Sequence, residues 1–173
     1  MGPHRSYLLA VSLLGLLACQ DGALVSESGT TVALTGTPLA LTRFRDDSLA
    51  YAQYSGVRAP SNVVIRDATA WSQLWQDIHA LTDPVPPLPT VDFNQEMIIA
   101  AALGTHATGG FNVFLAEAAE SSDGVQIEMI ETRPGSDCIT TQALTQPIDL
   151  ARVARRDAPV HFVVVQRVET CGS

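Results

Sequence analysis

The chain has 173 residues and 46% hydrophobic composition, which is enough for one domain with a buried core. Acidic residues outnumber basic ones 18 to 10, for a net charge of −8. That balance excludes a sequence-independent nucleic-acid binder, which needs a basic surface to displace phosphate counterions.

The N-terminus reads as a targeting segment. His4 and Arg5 give a short positive start, and residues 7–18 form an apolar run broken only by Ser12 and Gly15. The run is too short to span a bilayer as a helix and has the size of a signal-peptide core. It ends in Leu16-Leu17-Ala18-Cys19, which resembles the lipobox of bacterial lipoproteins. The resemblance implies cleavage after residue 18 of a lipoprotein signal peptide and a diacylglyceryl group on the Cys19 thiol. A lipid of that kind adds roughly 0.8 kcal/mol per buried CH₂ and ties the protein to a membrane. Gln20, in place of Asp, favours the outer membrane if the envelope is Gram-negative. An ordinary secretory signal with an incidental cysteine is the alternative.

Cys19 and the Gly/Ser/Thr/Ala-rich stretch that follows, residues 19–41, read as a lipidated tether that spans about 26 Å. The alternative is that residues 31–41 add an edge strand. Residues 42–173 are then the folded domain. Its first clear element is a helix over residues 67–81, where Trp71, Leu74, Trp75, Ile78 and Leu81 make one apolar stripe and Asp67 can cap the first turn. Prolines at 84, 86, 87 and 89 forbid helix beyond it and enforce an extended connector.

Strand patterns follow. Residues 97–103 are continuously apolar, as in a strand buried on both faces. Residues 111–116 and 125–130 alternate, with a hairpin signal at Ser121-Ser122-Asp123-Gly124. Residues 148–153 and 160–168 read as a further pair, and residues 63–66 as a short strand before the helix. The sum is an α+β domain, a mostly antiparallel sheet with one principal amphipathic helix.

With Cys19 lipidated, Cys138 and Cys171 remain, and an even count in an exported domain points to a disulfide. A redox or catalytic thiol is the alternative, but neither cysteine sits in a Cys-x-x-Cys pair. His4, His79, His106 and His161 are scattered without metal-ligand spacing, and no phosphate loop or nucleophile elbow is present. Neither metal nor cofactor is expected, and no residue is marked as catalytic. The segment that does draw notice is Gly104-Thr105-His106-Ala107-Thr108-Gly109-Gly110-Phe111, a polar, glycine-rich link between two apolar strands. Glycines there permit close backbone approach. The segment reads either as a plain hairpin loop or as a binding loop made of Thr105, His106, Thr108, Gly109, Gly110 and Phe111.

An ordered series of short blocks carries a family resemblance. It begins with Val64-Ile65-Arg66, Trp71 with Leu74-Trp75, Val91-Asp92-Phe93, and Met97-Ile98-Ile99-Ala100. It continues with Thr108-Gly109-Gly110-Phe111, Pro134-Gly135, Gln142-Ala143-Leu144-Thr145 with Pro147, and Pro159-Val160-His161-Phe162. Over roughly residues 44–169 the chain resembles the PrcB C-terminal domain family. The resemblance implies a non-catalytic interaction module that binds or stabilises an envelope or secreted protease. The Thr108–Phe111 loop is also similar to one in chagasin-type cysteine-protease inhibitors, although the Asn-Pro that precedes it there is absent and a second glycine is inserted. Direct inhibition through that loop is therefore the alternative, with a structural or ligand-binding envelope lipoprotein as a third reading.

Overall fold

A computed structural model describes residues 33–44 and 53–172. The signal segment, Cys19 and the first part of the tether lie outside the described residues. Eight strands form two four-stranded sheets, and one helix packs on the second of them. The strands are β1 (Thr37–Leu39), β2 (Thr42–Arg43), β3 (Ser61–Ile65), β4 (Glu96–Ala102), β5 (Asn112–Ser121), β6 (Gly124–Pro134), β7 (Ile148–Ala154) and β8 (Val160–Glu169). The helix α1 covers Ala68–Ile78. The first sheet has the order β1-β5-β6-β8 and the second β2-β7-β4-β3. All pairings are antiparallel except β6 with β8, so the α+β, mostly antiparallel expectation holds.

Strand β4 explains the layering. Its alternate residues Met97, Ile99 and Ala101 face the first sheet, where they meet Val113, Leu115, Val125, Ile127 and Met129. Ile98, Ala100 and Ala102 face the helix, with Trp71, Trp75 and Ile78. A strand with both faces covered must be apolar at every position, and that is the run the sequence shows. Strand β7 repeats the device: Ala151 and Val153 point between the sheets, Ile148 and Leu150 toward the helix.

The helix starts where Asp67 accepts from the Ala70 amide at 2.9 Å. It stops at Ile78, earlier than the apolar stripe suggested. Leu81 is outside it and 63% exposed, while His79 at the C-cap is buried against Trp75. The proline connector runs back along the helix, and its carbonyls at Pro89 and Pro86 accept the Trp71 and Trp75 indole N–H groups, each at 2.9 Å. Both tryptophans are thereby buried with their polar atoms satisfied. Burial of that kind is worth about 3–5 kcal/mol per side chain relative to alanine.

Two expectations are corrected. First, the stretch read as tether already contains structure at its end: Thr37–Leu39 pairs with β5, the edge-strand alternative. Second, residues 148–154 and 160–169 do not pair with each other. Strand β7 stays in the second sheet, and β8 crosses to lie parallel to β6. Two arginines fasten the crossing. Arg155 donates to the Phe93 and Arg66 carbonyls at 2.7 and 3.1 Å. Arg156 pairs with Glu120 of β5 at 2.8 Å. A second link between the sheets is Asp149 of β7, which accepts the Leu115 amide at 2.7 Å where a bulge interrupts the β5–β6 register.

Candidate functional site

Residues 104–111 join β4 to β5 and so pass from one sheet to the other; the segment is not a hairpin loop. Its backbone is fastened instead to residues 141–147, which join β6 to β7. His106 and Thr145 exchange amide-to-carbonyl bonds of 2.9 and 3.0 Å. The Gly109 amide donates to the Thr141 carbonyl at 3.0 Å, and the Thr145 hydroxyl donates to the Thr108 carbonyl at 2.9 Å. The Thr105 amide reaches the Arg58 carbonyl at 3.1 Å. A third segment joins through Ser55 and Gln53, which bond the backbone of Gln146. One end of the sandwich is thus a platform of three interlocked connections.

The two glycines serve this closure. A Cβ on Gly109 would stand 2.4 Å from the Thr141 hydroxyl oxygen. Gly110 has φ of +90°, a region that side-chain-bearing residues rarely adopt, and a Cβ there would press on Pro134 at 3.0 Å. Phe111 does not project outward: its ring stacks on His106, centroids 3.9 Å apart and planes 15° from parallel. The Thr108 carbonyl and the Gly109 amide are already spent inside the protein, and Phe111 is half-buried.

Two concavities flank the platform. On one side a cleft of about 460 Å³ opens between the sheets, lined by His106 and Phe111, by Asn62 of β3, and by Glu131, Arg133 and Arg167. The inward-facing series of β6 is Val125, Ile127, Met129, then Glu131 and Arg133, so the core face turns charged where the sheets part. On the other side a groove of about 390 Å³ is lined by Tyr54, Arg58, Leu81, Thr105 and Leu144. Tyr54, Leu81 and Leu144 are 50%, 63% and 63% exposed, an apolar cluster that the core does not use.

Cys138 and Cys171 lie at disulfide distance, with Cα atoms 4.9 Å apart. They hold the end of β8 to the start of the 135–147 connection, and so to the same end of the molecule. Asp137 accepts the Cys171 and Gly172 amides at 2.9 and 2.6 Å; these bonds hold its carboxyl below the usual carboxylate range. The histidines do not converge. His79 is under the helix end, His106 is in the platform, and His161 is beside the β5–β6 turn with its Nε2 3.3 Å from the Asp123 carbonyl. Among the described residues no three His, Cys, Asp or Glu side chains gather as a metal site.

Sequence reasoning singled out the loop but missed Arg133, Arg167, Tyr54, Leu81 and Leu144. Arg133 had a signal: it continues the odd-numbered inward series of β6. The exposure of Leu81 had none, because it lies in phase with the helix stripe.

The fold and site define a two-sheet domain with a rigid, partly apolar end and scattered titratable groups. Residues 97–154 match the family model described as PrcB C-terminal. The matched segment runs from β4 through β7 and includes residues 104–111 and 135–147, two of the three interlocked connections. The family points to a protease-complex-associated subunit, which is compatible with a chain that is not an enzyme. No curated protein and no solved structure gives a significant match.

Proposed function

We propose that this protein is a membrane-anchored, non-catalytic interaction module that binds or stabilises an envelope or secreted protease. Anchoring would run through a lipid on Cys19, with residues 20–36 as the leash. The docking face is the platform of Thr105, His106, Thr108, Gly109, Gly110 and Phe111 together with Tyr54, Leu81 and Leu144 beside it. The observation that carries this reading is the exposure of those three large apolar side chains around Thr105 at the end where the family match lies. Apolar anchors on a rigid backbone lose little entropy on docking, which is how a small patch supplies most of an interface's energy. The internal bonding of Thr108 and Gly109 favours capture on this surface over insertion of the loop into a protease cleft.

The test is affinity capture from the native envelope and secreted fractions, with wild type and a Leu81→Asp/Leu144→Asp variant in parallel. Both side chains are exposed, so the variant keeps the fold. A protease recovered by wild type and lost with the variant supports the reading. Recovery of the same protease by both removes this face from it, and recovery of no protease by folded wild type removes the function.

A further inference from the structure

Strands β1, β8, β2 and β3 end the two sheets, and all but β8 are short. β1 has three residues, one of them Pro38, and β2 has two. β3 has five and follows Pro60. Where β5 runs beyond β1, Asp149 takes the Leu115 amide and Arg43 the Leu115 carbonyl. These are the devices by which sheets avoid pairing with a foreign strand. β8 has none of them. It runs for ten residues without proline, lysine or bulge, and its formal charges are confined to Arg167 and Glu169 near one end. Two bonds fix which way its peptide groups point. The Pro159 and Glu169 carbonyls accept the Val125 and Gly135 amides at 2.9 and 2.8 Å, so the odd-numbered residues turn their backbone toward β6. Alternation then sends the amides and carbonyls of Val160, Phe162, Val164, Gln166 and Val168 to the outer edge. Among the described residues no strand meets them there. The register with β6 puts the side chains of the same residues on the inner face. Val160 and Phe162 pack on the core, while Val164 and Val168 are exposed.

We propose that this edge pairs antiparallel with the same edge of a second copy of the chain. The free backbone groups belong to even-numbered residues, so even must oppose even. The register centred on Val165 pairs Phe162 with Val168 and Val164 with Gln166 of the second copy, and each pair exchanges both backbone bonds. On the outer face it sets His161 opposite Glu169 and Val163 opposite Arg167. Centring on Val164 would instead set His161 against Arg167, and centring on Gln166 would make diagonal neighbours of the two Arg167 side chains. Like charges so placed are unfavourable, and the opposed basic and acidic groups select the Val165 register. The strand has a basic group toward its start, an acidic one at its end and apolar residues between them. Reversed, it is its own complement, which is why a second copy fits it. The contact is isologous and closes at two chains. It also carries the inner apolar face across the joint, where Phe162 meets the exposed Val168. Nothing in it rests on what docks at the apolar end, so each assignment can fail without the other.

The experiment is sedimentation equilibrium of the full chain in mild detergent, joined to oxidative crosslinking of Val165→Cys and Val163→Cys. Wild type, which already carries Cys19, sets the crosslinking background. Wild type sediments as two chains. Val165→Cys forms a covalent dimer, because the two copies of residue 165 face each other at about 4.5 Å between Cα atoms, within disulfide reach. Val163→Cys does not, because its two copies lie four residues apart, about 13 Å. Val164→Pro removes an amide that bonds nothing inside one copy, and Val164→Lys puts a charge on the joint. Each keeps the wild-type circular dichroism and weakens the dimer about tenfold or more. A monomeric wild type overturns the proposal, as does a dimer that both Val164 variants leave unchanged. Crosslinking of Val163→Cys as readily as Val165→Cys overturns the register. A Val165→Cys chain that crosslinks in the native envelope to another protein and not to itself gives the edge to a foreign strand and overturns the second copy.

Discussion

His106 and Phe111 lie face to face, ring centroids 3.9 Å apart, five residues from each other along a connection that crosses between sheets. The stack closes the platform from inside and forms the wall of the inter-sheet cleft. An aromatic pair of this kind contributes about 0.5–1.5 kcal/mol beyond its buried area. Phe111→Leu, which keeps much of the volume and loses the stack, is therefore expected to cost about 1 kcal/mol in urea unfolding. Phe111→Tyr should cost less. Equal losses would mean that the stack carries nothing.

Gly110 is tested by its backbone. With φ of +90° and Pro134 at 3.0 Å from a hypothetical Cβ, Gly110→Ala combines left-handed strain with crowding. We expect a loss of about 1–3 kcal/mol by denaturant midpoint. No loss would mean that the connection relaxes freely and is not a rigid platform.

The helix stripe and the two central strands show how far the sequence could be read. β4 needed apolar residues from Met97 to Ala102 because both its faces are covered, and that requirement is written in the chain itself; β7 keeps the pattern at Ile148, Leu150, Ala151 and Val153 but carries Asp149 and Arg152, which pair with Arg43 and Glu96. Trp71, Trp75 and Ile78 fell at helical spacing for the same reason. The partner of β8 could not be read: its alternation fits an edge position in either sheet, and Arg155 and Arg156, which fix the crossing, look like ordinary turn charges. The platform was half legible. Its glycines marked residues 104–111, but the bonds to Thr141 and Thr145 are largely backbone-to-backbone and leave no side-chain signature.

Glu128 gives a pH prediction. It is 1% exposed, its Oε1 has no partner among the described residues, and Glu117 is directly opposite on β5. Burial, then repulsion from Glu117, push its carboxyl above the ordinary value of 4.5, with Arg167 opposing. A raised carboxyl binds its proton more tightly folded than unfolded, so this group's contribution is most favourable below the ordinary value and declines as pH rises through and beyond it. Glu128→Gln should therefore raise the thermal midpoint relative to wild type at pH 7 and do so much less near pH 4. A benefit of the same size at both pH values would contradict the burial of a charge.

The bridge between Cys138 and Cys171 closes a loop with a sequence separation of 33. Chain entropy assigns about 3.8 kcal/mol to a loop of that size. Reduction, or Cys138→Ser with Cys171→Ser, should lower the thermal midpoint by roughly ten degrees. An unchanged midpoint under reductant, with thiols shown to be free, would mean that Asp137 and its amide bonds hold the end of β8 unaided.

The central claim is that the apolar end of the sandwich is where a protease sits. The most direct measurement is site-specific photo-crosslinking in the native envelope, with a photoreactive side chain at Leu144 and, in a second sample, at Val85 on the proline connector. Both positions are exposed. A protease crosslinked from Leu144 and absent from Val85 is the predicted result. A protease crosslinked only from Val85, or no protease from either position in the folded protein, would contradict the claim.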